Sequence, residues 1–178
     1  MPNPSNPSGA IRRRQFIKSA ALGAGFMILP SGVLRGANAP SSKLNVALLG
    51  TWGRGEAHFG AIASENVVAL CDVDEEHLAF GAKRFPDAKH YVDWRKCLEQ
   101  KDLDAVICCT ADHTHAFVAV WAMNRGLHVF CEKPLANTVE EARLVRATYL
   151  ENKNKLATQC GTQRHANPNF NRVRELIR

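Results

Sequence analysis

The sequence predicts an α/β fold built on a doubly wound parallel sheet, and three observations carry that prediction. Short apolar runs without polar alternation recur after residue 43, as they do in strands buried on both faces. Longer amphipathic stretches separate these runs, the pattern of strand–helix crossovers that parallel pairing requires. The first run ends in a glycine cluster, Gly50, Gly53 and Gly55, where a strand turns into a helix. With 178 residues, 46% hydrophobic and 22% charged, the chain can build one domain around a core, which excludes disorder, a collagen-like repeat and a bare disulfide scaffold.

In order, strands are expected at 44–49, 67–71, 105–110, 128–131 and 156–160, with a weaker one at 90–92, because each is a short apolar run bounded by polar or turn residues. Helices are expected at 55–64, 75–85, 93–100, 114–125 and 138–152. The last has the clearest start, with Thr138 as N-cap and Glu141 as its capping-box partner. Together these elements fill residues 43–160. Beyond them, Phe170, Val173, Leu176 and Ile177 repeat at helical spacing with no stop signal before Arg178. Residues 161–178 therefore read as the beginning of a second α/β domain, truncated here.

Residues 1–39 read as a leader. A polar Pro/Asn/Ser stretch precedes Arg12-Arg13-Arg14-Gln15-Phe16-Ile17-Lys18 and an Ala/Gly-weighted apolar stretch to Leu29. That order resembles a bacterial twin-arginine signal, and it implies export to the periplasm by the twin-arginine machinery. The apolar stretch is too short for a membrane anchor, which needs about 20 residues. The leader also explains the charge. Lys+Arg total 23 against 17 Asp+Glu, but five of the cations lie within residues 1–40, which hold no acid, so the remainder is nearly neutral. A nucleic-acid-binding surface needs basic charge clustered in the folded domain, so no nucleic-acid partner is expected.

Cys71, Cys108, Cys109, Cys131 and Cys160 lie in or at the ends of apolar runs, and no C-x-x-C pair occurs. They read as small hydrophobes in the core rather than as disulfides, or as a metal cluster with His113 and His115. Twin-arginine export carries chains already folded in a reducing compartment, which is compatible with free thiols. No metal is expected.

The glycine loop, Gly50-Thr51-Trp52-Gly53-Arg54-Gly55, stands where a dinucleotide-binding fold brings backbone amides and a helix start to a pyrophosphate. Asp72 ends the next strand, placed to bind the hydroxyls of an adenosine ribose and to repel a 2′-phosphate. NAD is therefore favoured over NADP, although Arg54 is a cation that can meet a phosphate. Trp52 replaces the glycine that lets backbone approach the pyrophosphate, so its indole must point aside or block the site.

Thr110, His115 and the run Gly126-Leu127-His128-Val129-Phe130-Cys131-Glu132-Lys133-Pro134-Leu135 resemble the Gfo/Idh/MocA oxidoreductases, for which Glu-Lys-Pro after a strand is the most specific short signature. The resemblance runs from about Leu44 to Ile177. It implies an N-terminal Rossmann domain followed by a second α/β domain, together acting on sugars or polyols with NAD or NADP. It places Lys133 beside the nicotinamide and the substrate hydroxyl as a catalytic residue. Glu132 and Pro134 shape that turn, and Thr110 and His115 line the cofactor cleft, His115 with a catalytic part. An alternative reading pairs Lys133 with Glu132 as a surface ion pair. His113 beside Asp112 is a weaker candidate. Arg164 and His165, with Gln163, would face the substrate, and any homo-oligomer would assemble through the second domain.

The resemblance implies an exported hydride-transferring oxidoreductase, present here as its front part and incomplete as a catalyst, because the family's base comes from the second domain. Two alternatives stand beside it, an NAD-dependent glycoside hydrolase of the same superfamily and a catalytically inactive nucleotide-binding module.

Overall fold

In the computed structural model, residues 43–162 and 168–177 are described. The leader and Gln163, Arg164 and His165 lie outside the described residues. Among the described residues six strands form one sheet: β1 (Asn45–Leu49), β2 (Asn66–Cys71), β3 (Lys89–Tyr91), β4 (Ala105–Cys108), β5 (His128–Cys131) and β6 (Thr158–Cys160). Their order is β3-β2-β1-β4-β5-β6 and every pairing is parallel. The chain turns back between β1 and β4, the switch point at which open parallel sheets bind ligands.

Side-chain alternation sends successive residues to opposite faces, and both faces are covered. Ala47, Leu49, Val106, Cys108, Val129 and Cys131 pack on one face, with Val118 and Ala122 of a covering helix. Leu48, Leu70, Ile62 and Leu78 form the core on the other. Because Leu48 and Leu70 are completely buried, truncating either to Ala removes about 2–5 kcal/mol of stability. Burial on both faces is why the strand sequences lack polar alternation.

The crossovers are α1 (Phe59–Ile62), α2 (Glu75–Arg84), α3 (Trp94–Cys97), α4 (His115–Asn124) and α5 (Val139–Asn152), and α6 (Pro168–Ile177) ends the described chain. Asp74 caps α2 by accepting from the Glu76 and His77 amides, with Glu75 and Glu76 in the first turn and Lys83 and Arg84 in the last. These amide bonds hold the Asp74 carboxyl below its usual pKa. At α5 the Glu141 amide donates to Thr138 Oγ1 (3.1 Å), and the Glu141 carboxylate reaches back to the Asn137 amide (2.8 Å), one residue before the cap.

Several elements are shorter than the sequence pattern suggests, among them the helix expected at 93–100, which is the single turn Trp94–Cys97. The helix expected at 55–64 is a 3₁₀ turn (Glu56–His58) and one α-turn, since Gly55 has no side chain with which to cap it. β4 stops before Thr110, whose carbonyl bonds His115 Nε2 (2.9 Å) instead of continuing the ladder. β6 begins only at Thr158, because His128 Nδ1 takes the Ala157 amide (2.9 Å).

Candidate functional site

The loop from Gly50 to Gly55 is folded tightly on itself. Gly50 (φ +83°) and Gly53 (φ +57°) occupy the left-handed region, open to glycine without penalty. A Cβ on Gly50 would overlap the Cys109 carbonyl, and one on Gly55 would overlap the Gly50 carbonyl. Thr51 is completely buried between them. Its amide donates to Asp72 Oδ2 (2.8 Å) and its hydroxyl to the His77 carbonyl (2.7 Å). Gly81 of α2 makes room for it, since a Cβ there would stand 2.9 Å from the Thr51 Cβ.

Asp72 thus anchors the loop. Besides Thr51 it accepts the Asp74 amide (3.1 Å), and His77 Nδ1 lies 3.7 Å from Oδ1. Both of its oxygens are engaged before any ribose arrives, which the sequence pattern does not reveal. Trp52 resolves the question its position raised: its indole points aside. It stacks on His77 (centroids 5.3 Å apart, planes within 4°), meets Phe80 edge-on at 4.7 Å, and remains 51% exposed.

At its other end the loop reaches β5. Arg54 Nε donates to Glu132 Oε1 (2.7 Å), and His58 Nε2 bonds the same oxygen (2.8 Å). Glu132 is buried, and its Oε2 has no hydrogen-bond partner. Burial acts to raise the Glu132 pKa, but the bonds from Arg54 and His58 outweigh it and hold the carboxyl below its ordinary range. Gly161, after β6, packs so closely on this carboxylate that a Cβ would sit 2.5 Å from Oε2. His58 was not expected. The only signal for it was a histidine in the first turn after the glycine loop, a position that many surface histidines share.

Three expectations are corrected here. Lys133 does not pair with Glu132, whose carboxylate is held by Arg54 and His58. Lys133 is exposed, and the Lys133–Pro134 peptide is cis. His115 does not line the cofactor cleft, because it is 1% exposed and bonded to the Pro134 carbonyl (Nδ1, 2.6 Å) and the Thr110 carbonyl (Nε2, 2.9 Å). Having entered the core as the first residue of an apolar helix, it clasps the loops after β4 and β5 and cannot touch a substrate. Asp72 and Lys133, which the sequence reading sets at neighbouring strand ends, are instead separated by β1 and β4, which run between β2 and β5.

A cleft of about 380 Å³ opens at the ends of β1, β2 and β4, and Gly50, Trp52, Asp72, Val73, Thr110 and His113 are in its wall. Arg54, Glu132 and Lys133 belong to the adjoining β5 side. The loop therefore bridges the switch point, joined to the β2 end through Thr51 and to the β5 end through Arg54. These residues fit a dinucleotide. Gly53, where a Cβ would meet nothing within 4 Å, keeps the backbone open to close approach, the Trp52, Gly53 and Arg54 amides are the loop's remaining donors, and Arg54 adds a cation on the same loop.

Residues 44–160 match the family described as "Oxidoreductase family, NAD-binding Rossmann fold". The chain is similar to a levoglucosan dehydrogenase of Pseudarthrobacter phenanthrenivorans, 33% identical over 56% of this chain and 28% of the relative. It is also similar to an inositol 2-dehydrogenase of Salmonella paratyphi B, 32% identical over 65% of this chain and 34% of the relative. A glycosyl hydrolase family 109 protein of Bacteroides fragilis is 33% identical over 64% of this chain and 28% of the relative. The matched part is thus about a third of the length of these curated relatives. Among solved structures, the fold is shared with a scyllo-inositol dehydrogenase from Lactobacillus casei bound to NAD(H) and scyllo-inositol (TM-score 0.68, 22% identity, 76% of this chain and 41% of that one).

Proposed function

The chain belongs to the NAD-binding Rossmann oxidoreductase family, and from that premise we propose that it is the cofactor-holding part of an exported enzyme that moves hydride between NAD and a sugar or polyol. The observation that supports this best is the loop at the switch point, tied to Asp72 on one side and to Glu132, the neighbour of Lys133, on the other. The similarity to inositol and levoglucosan dehydrogenases favours a cyclic polyol or anhydrosugar as substrate.

NAD supplies the hydride acceptor when bound. Each side chain then has a limited task. Arg54, held through Nε by Glu132, keeps its terminal nitrogens for phosphate oxygens. Asp72 presents a negative charge at the adenosine end, which repels a 2′-phosphate. Lys133, at the C-terminal rim, polarises the substrate oxygen and holds its developing charge. Glu132 is no base, because its carboxylate already accepts two cation-type donors. His115 is a positioning residue that fixes Thr110 and Pro134. A base within about 3 Å of the substrate hydroxyl comes, in this proposal, from the following domain, along with Arg164 and His165 facing the substrate. Export through the twin-arginine leader to the periplasm, and any homo-oligomer formed through that domain, belong to the same proposal.

The test is NADH release on offering inositols and anhydrosugars to the protein carrying its following domain. Lys133→Ala should abolish the rate and leave NAD affinity within about twofold, and an unchanged rate would remove Lys133 from the chemistry. A second reading is favoured by the similarity to the family 109 glycosyl hydrolase. Reducing-sugar release without net NADH would establish that reading. NAD binding with neither product would instead mark an inactive nucleotide-binding module.

A further inference from the structure

The C-terminal ends of the strands carry cysteines in one register row, with Cys108 of β4 opposite Cys131 of β5 and Cys131 opposite Cys160 of β6. Cys108 and Cys131 project to the same sheet face and are no more than 1% exposed. Neighbouring strands run about 4.8 Å apart, within the Cα separation of about 4.4–6.8 Å that a disulfide spans. His115 joins them: its ligating nitrogen and the two sulfurs all lie within 4.8 Å of one another.

His115 sets the chemistry of this trio. Both of its ring nitrogens face backbone carbonyls, which only accept, whereas a neutral imidazole has a single N–H. The same two contacts argue against a metal ion, which would need an open nitrogen on His115. Cys108 has the Thr110 hydroxyl 3.3 Å from its sulfur. The thiol trends agree. Burial raises the pKa of Cys71, Cys97, Cys109 and Cys160, and the bond with Cys108 raises that of Cys131. Cys108 alone is lowered, first by its bond with Cys131 and then by Thr110 and the charge of His115. An apolar cleft of about 270 Å³ is bordered by Cys131 and Cys160, so a small uncharged molecule reaches Cys131, with the Cys108 sulfur within 4.8 Å of the Cys131 sulfur.

We propose that Cys108 and Cys131 form an oxidisable dithiol, a modification site that a peroxide converts to a disulfide. The Cys131 thiol, which borders the cleft, attacks one peroxide oxygen and breaks the O–O bond, becoming a sulfenic acid, and the released hydroxide leaves as water with the Cys131 proton. The Cys108 sulfur then attacks the Cys131 sulfur and displaces hydroxide, which leaves as water with the Cys108 proton. Two sulfurs are oxidised by two electrons in total, and one peroxide is reduced to two waters. Drawing the sulfurs together shifts the packing around His115 and with it the Thr110 and Pro134 loops. Weakened NAD binding follows, a consequence that rests on the proposed function, whereas the disulfide itself does not.

The experiment treats the full chain with hydrogen peroxide, alkylates the remaining thiols and maps disulfide-linked peptides by mass spectrometry. A Cys108–Cys131 link that dithiothreitol reverses, that disappears in Cys131→Ser and that persists in Cys160→Ser is the expected result. A link confined to Cys160, or over-oxidation without any link, overturns the site. NAD affinity should fall by about fivefold or more on oxidation and recover on reduction, and a disulfide with unchanged affinity overturns the coupling. If the reduced chain does not bind NAD at all, the functional proposal fails while the peptide map still decides the dithiol.

Discussion

Asp72 and Glu132 are the same chemical device, a carboxylate just past the end of a parallel strand that holds one end of the glycine loop, yet their surroundings differ. Asp72 accepts from neutral donors, the Thr51 and Asp74 amides, and borders the open cleft. Glu132 is buried against Arg54 and His58, with one oxygen unpartnered. An acid held by amides better tolerates loss of its charge, because an amide side chain still accepts at one of the two oxygens and strands no charged partner. A buried acid held by cation-type donors does not, because its removal strands them. The two ends of one loop should therefore respond very differently to similar substitutions.

The largest expected effect is at the buried end. Glu132→Ala should lower unfolding free energy by about 3 kcal/mol, the low end for a broken buried pair because Arg54 is partly solvated; a loss under about 1 kcal/mol in urea titration would erase the contrast. Its pH dependence has a definite sign. The folded-state pKa of Glu132 lies below the ordinary value of 4.5, so its contribution is complete above that value and is lost as pH falls through the depressed folded-state pKa. Acid titrations of wild type and Glu132→Gln should converge in stability only in that acidic window.

Next comes the turn that opens the loop. Gly50→Ala combines a left-handed backbone with a collision against the Cys109 carbonyl, so about 2 kcal/mol of stability and at least tenfold in NAD affinity should be lost. At the open end Asp72→Asn should reduce stability by only about 1 kcal/mol, while calorimetric titration shows NADP gaining on NAD as the repulsive charge disappears. An unchanged cofactor ratio would assign Asp72 to loop anchoring alone. The smallest effect belongs to Trp52→Gly. The indole leans on His77 and Phe80 rather than into the loop, so NAD affinity should hold or tighten, with no more than about 1 kcal/mol of stacking lost. A clear drop in affinity would make the indole part of the binding surface.

The alternation of buried strands and crossover helices, the glycine loop, Asp72 and the Glu-Lys-Pro turn were all legible in the sequence, because each depends on local pattern or on the backbone freedom of a particular residue. Gly50 is an example: its place after the first strand already implied a tight turn. Which groups meet across the sheet was not legible. Nothing local distinguishes Glu132 as the partner of Arg54 and His58 from Glu132 as the partner of Lys133, and nothing marks His115 as a buried clasp rather than a cleft residue. Those outcomes follow from strand order, which brings residues 78 positions apart into one ion pair, and from helix α4 entering the core with His115 as its first residue.

By itself, then, the sequence determined the kind of sheet and where its chain reversals fall, since hydrophobic periodicity and glycine placement act over a few residues. Tertiary structure alone decided which carboxylate is buried, which histidine is clasped and which thiols share a row. Burial, desolvation and hydrogen-bond pairing are properties of neighbours in space, and a parallel sheet assembles its neighbours from distant parts of the chain.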